Sequence, residues 1–274
     1  MKLWRWWQQL QAHPLYLREK GEWGNPNPYY TRFTNLMPFF VLAGLVFSFC
    51  GAGTNTLLFE SDDALWWTWC IIFLPILVKN IILLNATILA PVLTAPTISH
   101  EINRGTWDIL RLTPQPTFFI VIAKLIGSLG RLSFMTTLLL INIFEAIIMS
   151  LIGFFISSPT ITITIGIIFG ATSIIFRPFL EILFIALIGL ILSTFLRSAN
   201  TAIATSYILW ICFKLANNII LWSGIFYDVL PTPSYFLSLT FTSTNYLIII
   251  IILLAILYWR SYRLDTGYDW HLWG

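Results

Sequence analysis

The chain has 274 residues, of which 58% are hydrophobic and only 10% charged, against about 25% charged in an ordinary soluble domain. That deficit excludes a water-soluble enzyme, a disordered chain and a nucleic-acid binder, and a net charge of +3 with scattered basic residues points to no polyanion partner. Thirteen Trp and ten Tyr suit membrane–water interfaces, where such rings keep an apolar body in lipid and a polar tip in water. The composition predicts an all-α polytopic membrane protein, and at about 20 apolar residues per helix the length allows about six spans.

Residues 1–35 read as a cytoplasmic interfacial segment. Leu3, Trp6, Trp7 and Leu10 fall at helical spacing around Arg5, Gln8 and Gln9, which predicts an amphipathic helix lying in the interface. Pro14 opens a second short helix that Gly21 ends. The segment lacks the apolar core of a cleavable signal, so targeting falls to the first span. The six-helix transmembrane domain then covers 36–260. Its first span is 36–51, followed by an acidic loop with Glu60, Asp62 and Asp63. The second opens at Trp66, Trp67 and Trp69 and continues to about 92. Residues 94–116 form a polar cytoplasmic elbow. The apolar run 117–156 is too long for one span, and its first part, with Lys124 and Arg131, is expected at or below the headgroups. Residues 161–176 read as a short outer helix or re-entrant piece. The fourth and fifth spans, 178–196 and 201–222, flank a tight turn at Arg197, Ser198, Ala199 and Asn200. An outer segment with Asp228 precedes the sixth span, 246–259, and a cytoplasmic tail covers 261–274.

With both termini inside, the inner segments carry Lys2, Arg5, Arg18, Lys20, Arg32, Arg104, Arg111, Arg197, Arg260 and Arg263. The outer loops carry acids and, at one edge, Arg177. This satisfies the positive-inside rule and predicts a multi-pass protein of the cell membrane with cytoplasmic ends.

Residues 97–114 predict a helix, a break and a second helix. Thr97 or Ser99 is expected to cap the first piece, with Glu101 in its first turn. Gly105 ends that piece in the left-handed conformation, Thr106 caps the next, and Asp108 sits near its positive end. An ordinary connecting loop is the plainer alternative. The stretch Glu101-x-x-Arg104-Gly105-Thr106-Trp107-Asp108-Ile109-Leu110-x-x-Thr113-Pro114 resembles the permeases of the type-2 class of ATP-binding-cassette (ABC) exporters. Two further stretches are similar to that family: Leu192 through Ala202 at the turn between the fourth and fifth spans, and His13-Pro14-Leu15-Tyr16-Leu17-Arg18-Glu19 near the start.

The resemblance implies a membrane subunit that pairs with a second permease copy or homologue. It also implies that a separate ABC ATPase subunit docks at the elbow through Glu101, Arg104, Gly105, Thr106 and Asp108. The chain has no G-x-x-x-x-G-K-[ST] loop, so ATP and Mg would sit in the partner, and no catalytic, cofactor or metal site is expected here. A non-transporting accessory subunit of a larger membrane complex, held by Trp4, Trp6, Trp7, Trp23, Trp270 and Trp273, is the alternative.

Four charges fall inside apolar runs: Lys79, Glu145, Glu181 and Lys214. Unpaired charge in lipid is costly, so these residues either bridge helices or line a wet path. Helical rise puts Glu181 and Lys214 at similar depth, about 20–25 Å above the turn at 197–200, so they could meet. Arg177, four residues before Glu181, is another possible partner. Lys79 is expected to reach the inner headgroups, and Glu145 the bilayer middle. Cys50, Cys70 and Cys212 read as small buried hydrophobes. His13, His100 and His271 fall outside the expected spans, which disfavours a membrane-embedded haem or chlorophyll ligand.

Overall fold

The computed structural model describes residues 4, 8, 11–21, 74–112, 115–132, 134–156, 161–196, 198–225 and 233–266. The expected first span, the Trp-rich start of the expected second, the acidic loop, Arg197, Asp228 and the Trp-bearing tail lie outside them, as does most of the expected amphipathic helix at 3–10.

Every described element is helical: α1 Pro14–Lys20, α2 Leu74–Asn103, α3 Thr106–Arg111, α4 Thr117–Leu129, α5 Met135–Ile156, α6 Ile161–Phe195, α7 Ala199–Ile225 and α8 Pro233–Thr266. Four stretches among the described residues are long and apolar enough to cross a membrane: Ile76–Asn103, Thr164–Phe195, Ala199–Asn218 and Leu239–Arg263. The protein is a membrane-embedded, multi-pass helical bundle.

Helix α6 is its centre. Its spanning segment is 67% buried, against 17% for that of α7 and 28% for that of α8. It packs most extensively on α2 and α8. Lipid offers no hydrophobic drive for helix association, so close backbone approach matters. At Gly189 of α6, a Cβ would stand 2.8 Å from Thr94 Oγ1 and 3.2 Å from Pro91 Cα. Ala86, Ala90 and Ala186 are fully buried in the core of this bundle. A smaller apolar cluster joins α5, α6 and α8 through Ala146, Ile167, Ile174, Phe236 and Leu239. The buried Phe236 ring sits where side chains on Gly153 and Gly170 would overlap it.

The structure differs from the sequence expectation in continuity. Helix α2 runs unbroken from the second span into the elbow, past Pro91 and Pro96, so neither Thr97 nor Ser99 caps a new helix. Their hydroxyls donate back to the carbonyls of Thr94 and Ala95, a bond that keeps such residues inside a helix. Residues 161–176 are no separate outer piece; they are the first half of α6, which passes through Pro178. Membrane helices tolerate proline where neighbours re-satisfy the backbone. The run 117–156 divides into α4 and α5 at Gly130, and the apolar stretch 246–259 lies inside the 34-residue α8. Cys212 is exposed on α7, not buried.

Candidate functional site

Two groups of charged side chains stand out. The first surrounds the elbow. Pro14 opens α1, the His13 imidazole accepts from the Leu15 N–H at 3.3 Å, and Gly21 ends the helix at φ +91°. This short helix lies on α4 across Gly127, where a Cβ would meet Glu19 Cβ at 2.8 Å and the Tyr16 carbonyl at 3.0 Å. The close approach brings Glu19 to Lys124.

Lys124 has no exposed side-chain surface. Its ammonium donates to Glu19 Oε1 at 3.1 Å, Glu101 Oε1 at 3.1 Å and the Thr97 carbonyl at 3.2 Å, which matches its three protons. Arg18 donates to Glu19 at 2.9 Å and to Glu101 at 2.5 Å. Burial alone would lower the Arg18 pKa, but the hydrogen bonds and charges of Glu19 and Glu101 outweigh it and raise it. The Thr106 hydroxyl donates to the Glu101 carboxylate, and Arg131 Nε to the Glu19 carbonyl. Five charged groups therefore tie α1, α2 and α4 into one body.

Between α2 and α3, Gly105 is left-handed at φ +67°. Gly105 itself is the N-cap of α3, so Thr106 is the first helical residue and its hydroxyl faces Glu101 instead of capping. Arg104 and Asp108 are exposed. Trp107, which the sequence reading passed over, is 1% exposed and anchors α3 in the main core. Of the five elbow residues singled out, Glu101 and Thr106 thus face inward, and Arg104, Gly105 and Asp108 form the accessible surface.

The second group lies within the bundle. Lys214 Nζ stands 2.5 Å from Glu181 Oε1, and Lys79 Nζ 2.5 Å from Glu145 Oε2. Lys79 is therefore not free to extend to a headgroup; it is held to α5. Trp210 donates to Glu181 at 3.1 Å, and its ring faces the Lys214 ammonium at 5.0 Å. Arg177 pairs with no carboxylate among the described residues, although it shares a helix with Glu181; it donates to Asn218 Oδ1 at 2.7 Å. All four predicted intramembrane charges, with Arg177, Asn80 and Asn218, line one cavity of about 230 Å³. It opens between the large apolar core and the cluster around Ile174 and Leu239. Glu181 and Lys214 are about 21–22 Å along their helices from the α6–α7 turn, deep in the apolar zone.

The sequence reading missed Glu19, Lys124 and Arg131 as elbow partners. Lys124 carried a signal, a lone lysine among apolar residues of 117–129, but nothing local named its acceptors 23 and 105 positions away. One turn from Glu145, Asn142 is fully buried, and neither of its amide atoms has a hydrogen-bond partner among the described residues.

No protein-family model matches the chain, and no curated protein matches it.

Proposed function

We propose that the chain is the membrane-spanning permease subunit of a type-2 ABC exporter. It pairs with a second permease copy or homologue and receives a separate ATPase subunit, which holds ATP and Mg, on the exposed side of the elbow. In this reading the chain crosses the cell membrane six times, with both termini cytoplasmic. One observation carries it: α2 is a single unbroken helix with the elbow at one end and Lys79 of the charged cavity at the other. From Asn103 to Lys79 it covers about 36 Å. Work done by a docked subunit on Arg104 or Gly105, or through α3 on Asp108, reaches the cavity along one continuous helix. The ionic cluster around Lys124 stiffens the receiving end.

The test is purification of the tagged chain from native membranes under mild detergent, with an added cysteine at Asp108 for cross-linking. Cross-linking to an ATPase subunit, and ATP-dependent transport lost on Asp108→Arg, support the reading. External labelling of cysteines at positions 62 and 228, and internal labelling at 197, test the topology. The accessory-subunit reading, favoured by the Trp-rich ends, takes over if Asp108 cross-links to other membrane subunits and no ATPase is recovered.

A further inference from the structure

Among the described residues, the charged cavity does not balance. Lys79, Arg177 and Lys214 face Glu145 and Glu181. Each carboxylate is already committed to one lysine at 2.5 Å. That leaves Arg177, whose hydrogen bond goes to a neutral amide, Asn218 Oδ1. An arginine near the outer end of the apolar zone, with no counter-charge among the described residues, is still costly, and such residues mark ion or substrate positions. Its planar fork has donors to spare after one bond to Asn218 and suits an oxyanion, which it can engage in bidentate fashion.

The surroundings fit the same ligand. Glu181 has a side chain only 4% exposed, whereas Lys214 keeps 34%. The cation thus turns part of its surface outward while the carboxylate is sealed behind it. At about 230 Å³ the space is smaller than the 300–1,000 Å³ usual for drug-sized ligands. It accommodates one compact group.

We infer that this cavity binds a single oxyanion, a phosphate or carboxylate group, between Arg177 and Lys214. The group arrives either as a free ion or as the head of an anionic lipid. The inference does not rest on the transport reading, because binding is measured on the isolated chain. Loss of one leaves the other standing.

The experiment titrates the full chain, purified in neutral detergent, with inorganic phosphate, with dioctanoyl phosphatidic acid and with dioctanoyl phosphatidylcholine, following the unfolding temperature and the heat of binding. Saturable binding of phosphate or phosphatidic acid, with phosphatidylcholine at least tenfold weaker, is expected. Arg177→Gln should weaken the anion at least tenfold, and Arg177→Lys should restore part of that loss. Glu181→Gln removes a negative charge and should tighten the anion, an effect of opposite sign to any general loosening of the fold. This variant keeps the test decisive if Arg177→Gln does not fold. Phosphatidic acid binding much more tightly than phosphate identifies the lipid source; equal affinities identify the free ion. No saturable anion binding, equal binding of phosphatidylcholine, or Glu181→Gln weakening the anion would each overturn the site.

Discussion

The elbow cluster and the intramembrane cavity are built from the same inventory and do opposite things with it. Each gathers three cations and two carboxylates: Arg18, Lys124 and Arg131 with Glu19 and Glu101 at the elbow, and Lys79, Arg177 and Lys214 with Glu145 and Glu181 in the bundle. At the elbow the carboxylates are shared. Glu101 serves both Arg18 and Lys124, and Glu19 serves Arg18, Lys124 and Arg131. Lys124 is completely enclosed. In the cavity each carboxylate serves one lysine, Arg177 has an amide, and open space remains. A shared, closed network fixes geometry; a paired, open one leaves charge and room for a ligand.

The sharpest way to break this contrast is to remove the centre of the closed network. Lys124→Met leaves two carboxylates facing each other with much of their compensation gone. Truncating one partner of a buried ion pair costs about 3–5 kcal/mol in soluble proteins, and this should be the largest single effect in the molecule. Detergent-titrated unfolding of the purified chain measures it. Adding Glu101→Gln to Lys124→Met should recover part of the loss. If Lys124→Met is as stable as the wild type, the elbow is not a tied body and the comparison collapses.

The cavity pairs should cost less. Interhelical polar contacts in membranes average about 0.6 kcal/mol and reach about 1.7. Within that range the two partners of one pair should differ. Lys214→Met strands a carboxylate with 4% exposure, leaving Trp210 as a donor. Glu181→Gln leaves a lysine that still has 34% of its side chain outside. Lys214→Met should therefore be the more destabilising, and a double-mutant cycle gives the pair its own value. The reverse order would mean that the cavity is wetter around Glu181 than its burial shows.

The bend at Gly105 tests the elbow without touching its charges. A Cβ there meets nothing within 4 Å, so Gly105→Val is penalised only by the left-handed backbone, at about 1–3 kcal/mol. Gly105→Asn should cost less, because asparagine visits that region more readily. Equal losses in both would show that contacts, and not backbone strain, set the effect.

These sites were unequally legible in the sequence. Charges inside apolar runs announce themselves, because lipid penalises them, and helical rise put Glu181 and Lys214 at one depth across a short turn. The Lys79–Glu145 pair was hidden by a competing solution, since a lysine near a helix end can reach a headgroup on its own stem. Gly105 was readable from its place between two helical stretches. The continuity of α2 was not, because threonine and serine that could cap a helix can equally bond back one turn and stay within it. Pro178 misled in the same manner: in water it would end a helix, and in the bundle α6 runs through it. The elbow cluster stayed out of sight because Glu19 and Lys124 are 105 positions apart, and pairing at that separation is decided by packing that no local pattern encodes.

The smallest expected effect lies at the outer edge of the elbow body, where α1 is held by its cap. His13 accepts the Leu15 N–H through Nδ1 and meets the Phe119 ring edge-on, with centroids 5.5 Å apart. An imidazolium has no acceptor nitrogen, so protonation removes this cap. Burial lowers the His13 pKa below its ordinary 6.5. Above that ordinary value both folded and unfolded chains hold a neutral ring, and the cap's contribution is complete. As pH falls below it the unfolded chain takes the proton first, so α1 loses stability until the lowered folded pKa has been passed. One long hydrogen bond on a partly exposed ring should contribute less than the about 1 kcal/mol of a good N-cap. Amide hydrogen exchange within α1 at pH 7.5, 6.5 and 5.5 reads this directly, once the intrinsic exchange rates are divided out. His13→Asn supplies a cap that does not titrate and should flatten the profile while leaving the exchange of α6 untouched. An unchanged profile in His13→Asn would move the pH response elsewhere and leave the docking of α1 to Glu19 and Arg18 alone.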